Sequence, residues 1–273
     1  MRRIALAALA LVLLATTSNA QTFATDNPVL RRIWTLGMDS SQIYRLGQVL
    51  TDSVGPRLTG APGMAAAHDW AVAQYQRWGI NARKEQYGTW RGWRRGPTHV
   101  DLIAPRVRTL EGTMLAWSAG TGGKNVEGPV VILPELADTN ALAAWLPQAR
   151  GKFVAISFAE PTCRPNRQMQ EFAVDSAWWR SFRADRDSAR VRWNRRAGNA
   201  NNLCKKLESA GALGVLQSNW SQDYGVNKIF STNIERIPTI DLSCEDYGLV
   251  FRLAANNQGP RIRVNATSEF LGN

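Results

Sequence analysis

The sequence predicts an α+β protein: a helical N-terminal lead-in with a few strands, then a compact α/β domain carrying a helical insertion. Three observations predict it. Apolar residues recur at helical spacing through residues 26–80. From residue 128 onward, short apolar runs alternate with short amphipathic stretches, the order of strands and helices around one sheet. Between residues 164 and 200 a long stretch of arginines and aromatics interrupts that alternation.

In chain order, residues 1–20 read as an export signal. Arg2 and Arg3 form a basic head, Ile4 to Ala15 is an unbroken apolar run, and Ser18-Asn19-Ala20 places small residues at a cleavage site. The run is too short for the roughly 20 apolar residues of a bilayer span, and no later stretch is apolar enough for one. The protein is therefore expected to be exported, periplasmic or extracellular, without a membrane span.

Residues 21–127 form the first segment. Asn27-Pro28 is a helix start, with Asn27 as cap and proline at the first helical position. Leu30, Ile33 and Trp34 share a face, and Gly37 is expected to end this helix. A second helix opens at Ser40 or Ser41 and aligns Ile43, Leu46 and Leu50. After the turn-rich Gly55 to Gly63, a third helix aligns Met64, Ala67, Ala71, Tyr75 and Trp78, with Gly79 as its cap. Strands are expected at 85–90, 98–104 and 109–117, and a glycine-rich connection at 118–127.

Residues 128–266 form the second segment. Strands are expected at 128–133, 151–157, 214–217, 237–242 and 261–264, and helices at 140–148, 201–210 and 245–255. Within the insertion, about residues 164–200, Phe172, Trp179, Phe182, Ala189 and Trp193 fall on one helical seam. Phe172, Trp179, Phe182 and Trp193 are the candidate partner-docking seam; the alternative is packing on the domain itself. Residues 267–273 read as a truncated tail.

The formal charge is +11. Basic residues are spread along the chain and interleaved with acidic ones, which argues against a nucleic-acid partner and for acidic polymers or an acidic partner domain. Of three cysteines, none forms a CxxC pair. An oxidising compartment favours one disulfide, and Cys163–Cys204, which brackets the insertion, is the expected pair.

The chemistry-bearing patterns are mostly absent. The chain has two histidines, His68 and His99, and no HExxH or HxD motif, so a protein-built zinc site is not expected. There is no GxSxG elbow. Gly120 to Lys124 lacks the spacing of a phosphate loop and reads as a linker. The basic aromatic stretch Trp90 to Arg95 reads as a hairpin packed on the domain body. No catalytic and no metal-binding residue is assigned.

Gly151 to Ile156, Cys163, Lys205-Lys206, Ser209 to Leu216 and Ile237-Pro238-Thr239-Ile240 with the helix from Glu245 together resemble a protease-associated (PA) domain. Gly55 to Gly63, followed by the helix ending Trp78-Gly79, is similar to the region ahead of the catalytic domain in exported zinc exopeptidases. These are the di-zinc aminopeptidases and glutamate-carboxypeptidase-like enzymes, which often carry an inserted PA domain. The resemblance implies zinc as the cofactor of the complete enzyme and hydrolysis of a terminal peptide bond. It also implies zinc ligands in a sheet that follows the PA domain, beginning with an HxD-type motif. This sequence ends at Asn273, where that region is expected to begin. The resemblance thus implies the N-terminal and PA portion, without cofactor and inactive alone, whose partner is a peptide or protein substrate or a missing catalytic domain. The alternative is a stand-alone PA-type peptide- or protein-binding module.

Overall fold

The computed structural model describes residues 23–195, 200–223 and 227–272, with the side chains of 200–202 left aside. The expected export signal lies outside these residues. The chain divides into two units, one up to Pro56 and one from Arg57 onward.

The first unit is helical. Helix α1 spans Pro28–Trp34 and starts as expected: the Asn27 carboxamide oxygen accepts from the amides of Val29 and Leu30, at 2.9 and 3.2 Å. Gly37 does not end it. The backbone widens into a π-helix over Thr35–Asp39, closed by Ser40 N–H to Thr35 O at 2.8 Å. Helix α2, Ile43–Gln48, widens in the same way over Val49–Val54. None of these helical residues is buried.

The second unit is built on one eight-stranded sheet. Helix α3 is Pro62–Arg77, followed by strands β1 Gly92–Ala104, β2 Arg108–Leu110, β3 Gly112–Met114 and β4 Val126–Ile132. Helix α4 Thr139–Trp145 and strand β5 Phe153–Ala155 come next. The insertion forms α5 Asn166–Glu171 and α6 Ser176–Arg195. Helix α7 Ala200–Ser209, strands β6 Gly214–Gln217 and β7 Thr239–Leu242, helix α8 Cys244–Ala255 and strand β8 Arg261–Gly272 complete the chain. The strand order is β2-β1-β8-β4-β5-β6-β7-β3. Its centre, β4 to β7, is parallel, and such strands are covered on both faces and read as continuous apolar runs. Alternate side chains serve two cores. Phe153, Ala155, Leu216, Ile240 and Leu242 face one, with Tyr247 and Val250 of α8. Val154 and Val215 face the other, with Leu142, Leu203 and Leu207. Gly214 sits where an added Cβ would lie 2.9 Å from both Phe153 Cδ1 and Pro238 O, so the close approach of β5 and β6 requires a glycine there.

Four further expectations differ from this fold. The strand expected at 85–90 is irregular chain. The boundary expected at residue 127 is not a break in the sheet, because β1 and β8 pair from Gly92↔Gly272 to Ala104↔Arg261. For the same reason residues 267–272, expected as part of a truncated tail, continue β8 along β1. Finally, Cys163 bonds to Cys244, not to Cys204. Helix α7 turns Cys204 into the second core, where it is a buried free thiol that burial pushes up to about 11. Cys244 opens α8, at the sheet end where the insertion begins.

Candidate functional site

Two places in the second unit gather side chains. The first is the end of the parallel strands. Asp241, 1% exposed, lies between the apolar Ile240 and Leu242 of β7. Its carboxylate accepts from the Asn219 backbone N–H and Asn219 Nδ2, both at 3.0 Å, and from Asn227 Nδ2 at 2.5 Å. Burial pushes the carboxyl up to about 6, and these donors partly oppose that. Next to it on α8, the Tyr247 hydroxyl donates to Ser157 O at 2.7 Å, and Ser157 Oγ accepts from Ser218 N–H at 3.0 Å. Burial holds the Tyr247 phenol well above its usual range.

The insertion closes over this end. Trp193 donates from its indole nitrogen to Ile156 O at 2.7 Å and packs edge-on against Phe158 and Phe251. Arg190 pairs with Glu160 and lies over the Phe158 ring. The Cys163–Cys244 bond ties the start of the insertion to α8. The expected docking seam is therefore split. Trp179 and Trp193 are buried, Phe182 is half-buried and stacks on Trp179, and Phe172 is exposed beyond the end of α5. Trp193 packs on its own domain because the strand ends below it offer a backbone acceptor and aromatic rings. Asp241 is a hub that holds the loops after β6 together. The sequence signal for it was a lone carboxylate inside an apolar strand.

The second place is a groove of about 460 Å³ between the start of α3 and the irregular segment 85–90, lined among others by Gly60, Met64, His68, Tyr87, Trp90 and Leu271. Tyr87 and Trp90 are exposed at 90% and 57%, and Tyr75, Trp78 and Ile80 extend the apolar surface. In the basic aromatic stretch beside it, Trp93 is buried and donates to Ser118 O at 3.0 Å, while Arg94 pairs with Glu269 at 2.8 Å. Trp90, though largely exposed, meets the Trp117 ring edge-on with centroids 6.2 Å apart.

His68 and His99 are both exposed, on α3 and β1. Among the described residues no group of three or more His, Cys, Asp or Glu could hold a metal ion. The remaining residues contain none of these four types. The donor set therefore does not fit a zinc site. Among the described residues no helix is long and apolar enough to cross a membrane.

No family model matches the chain. It is 22% identical over 231 residues to carboxypeptidase Q of Pongo abelii, covering 84% of this chain and 42% of that protein. The crystal structure of a peptidase M28 precursor from Shewanella amazonensis SB2B matches with a TM-score of 0.55 and 20% identity, over 89% of this chain and 51% of that one. A zinc aminopeptidase from Bacillus subtilis matches with a TM-score of 0.43 and 14% identity, over 85% of this chain and 44% of that one. The chain spans about half the length of these proteins or less, and it shares the fold of that half of an M28 peptidase precursor.

Proposed function

We propose that this chain is the N-terminal and PA-type portion of an exported zinc exopeptidase, serving substrate access or domain contact and performing no hydrolysis by itself. One observation carries the reading. The fold matches along 89% of this chain but only 51% of the M28 peptidase precursor, and among the described residues no group could hold a metal ion. In a zinc peptidase the metal polarises the scissile carbonyl and lowers the pKa of bound water; neither task can be assigned to a residue of this chain. The disulfide supports an oxidising compartment. The apolar surface formed by Tyr75, Trp78, Ile80, Tyr87 and Trp90 is what a domain meant to be covered would show.

The test is a turnover assay of the purified chain on aminoacyl-nitroanilides and dipeptides with added zinc. No turnover above background is expected, and zinc-dependent release of product overturns the reading. A second reading, a stand-alone peptide-binding module, draws on the second unit's own two cores. Saturable peptide binding by a monodisperse chain would favour it.

A further inference from the structure

We propose that the turn joining α5 to α6 is an anchor for an anionic lipid surface. Within seven residues it presents Phe172, Val174 and Trp178, exposed at 68%, 88% and 42%. The Asp175 carboxylate accepts from Trp178 N–H at 2.7 Å, and Trp179 N–H bonds to Asp175 O at 3.2 Å, so Trp178 stands in the first turn of a capped helix, with Phe172 and Val174 just ahead of the cap. Trp178 is stacked on Phe182, with ring centroids 5.4 Å apart.

The surroundings are basic. The Arg164 guanidinium lies 5.9 Å from the centre of the Phe172 ring, and that of Arg183 lies 5.7 Å from the Trp179 ring. Arg167 and Arg180 are exposed beside them. Residues 164–195 hold eight arginines against four carboxylates, Glu171, Asp175, Asp185 and Asp187. Of the arginines, Arg186 is buried on Asn166 and Asp187, and Arg190 is taken by Glu160. Around the tip itself Arg164, Arg167, Arg180 and Arg183 stand against Glu171 and Asp175, so the local excess is positive.

An aromatic and aliphatic tip ringed by arginines matches an anionic bilayer interface. The apolar side chains enter the headgroup boundary while the guanidinium groups stay with the phosphates. A protein partner for the whole helix would need the continuous seam, but Trp179 and Trp193 of that seam are already covered within the chain.

The test incubates the full chain with vesicles of phosphatidylglycerol in phosphatidylcholine and reads hydrogen exchange of residues 170–183 together with co-sedimentation. Protection of 170–183 is expected with these vesicles and absent with pure phosphatidylcholine. Phe172→Ser with Val174→Ser should lower partitioning about tenfold or more. Arg164→Ala with Arg180→Ala should lower it roughly thirtyfold, from about 1 kcal/mol per arginine at an anionic surface. All four side chains are exposed, so circular dichroism should show an intact fold. The apolar run Ile4 to Ala15 is unchanged between variants and cannot account for the difference. Unaltered partitioning of both variants, or protection confined to another segment, overturns the proposal. So does equal protection of 170–183 by heparin without lipid, which would assign the patch to a soluble acidic polymer.

Discussion

Helices α1 and α8 are both amphipathic in sequence, and they end differently. Helix α8 buries Cys244, Asp246, Tyr247, Gly248 and Val250 against the sheet. Helix α1 and its π extension bury nothing, and Leu30, Ile33 and Leu36 stay exposed. The apolar spacing of a helix says that one face wants cover; it does not say whether the cover is in the same chain. In the second unit the sheet supplies it. In residues 28–54 the cover is slight: Phe23 stacks on Trp34, Leu46 and Leu50 are half-buried, and no residue of these helices is fully buried.

Several measurements would break or sharpen that contrast. The largest effect is expected in the sheet unit: Phe153→Ala, at a fully buried position, should cost about 3–5 kcal/mol in denaturant unfolding. Loss of the Cys163–Cys244 bond by Cys244→Ser should cost about 2–4 kcal/mol. In the same experiment the buried Cys204 should resist alkylation until the protein unfolds. Asp241 should give a pH signature. Its folded pKa of about 6 stands above the ordinary aspartate value of 3.8, so the folded state holds the proton more tightly. Its contribution is therefore full below about pH 4, is lost as pH rises to about 6, and amounts to at most about 3 kcal/mol. Asp241→Asn should flatten unfolding free energy across that window; an unchanged slope would place the titration elsewhere. The smallest effect belongs to the first unit, where Ile43→Ser, at a residue 74% exposed, should change stability by less than about 0.5 kcal/mol. A large cost at Ile43 would mean that these helices are packed after all.

What the sequence revealed follows the same division. The parallel strands were legible because burial on both faces makes them short unbroken apolar runs. The Asn27 cap and the start of α8 were legible because capping is a local event, although Asp246 does more than sit near a helix end. Its carboxylate accepts from Arg108 at 2.7 Å and from Glu111 N–H at 2.7 Å. The long pairing of β1 with β8 was not legible, since its partners lie far apart in sequence and their outer ends are half-exposed and polar. The disulfide was missed for a similar reason: spacing brackets the insertion with Cys204, while only the fold shows α7 turning that thiol inward. In the candidate site, Trp93 is buried as the reading of Trp90 to Arg95 expected, but the stretch opens β1 against β8 and not a hairpin, and Trp90 is largely exposed; the Asp241 hub depends on loops that come together only in three dimensions.

The central proposal is that this chain, which shares the fold of about half of an M28 peptidase precursor, holds no zinc by itself. It is tested most directly by zinc content, measured after the purified chain is equilibrated with zinc and then desalted. The account predicts no stoichiometric zinc and no peptide hydrolysis in the same sample. Stoichiometric zinc retained together with hydrolysis would contradict it.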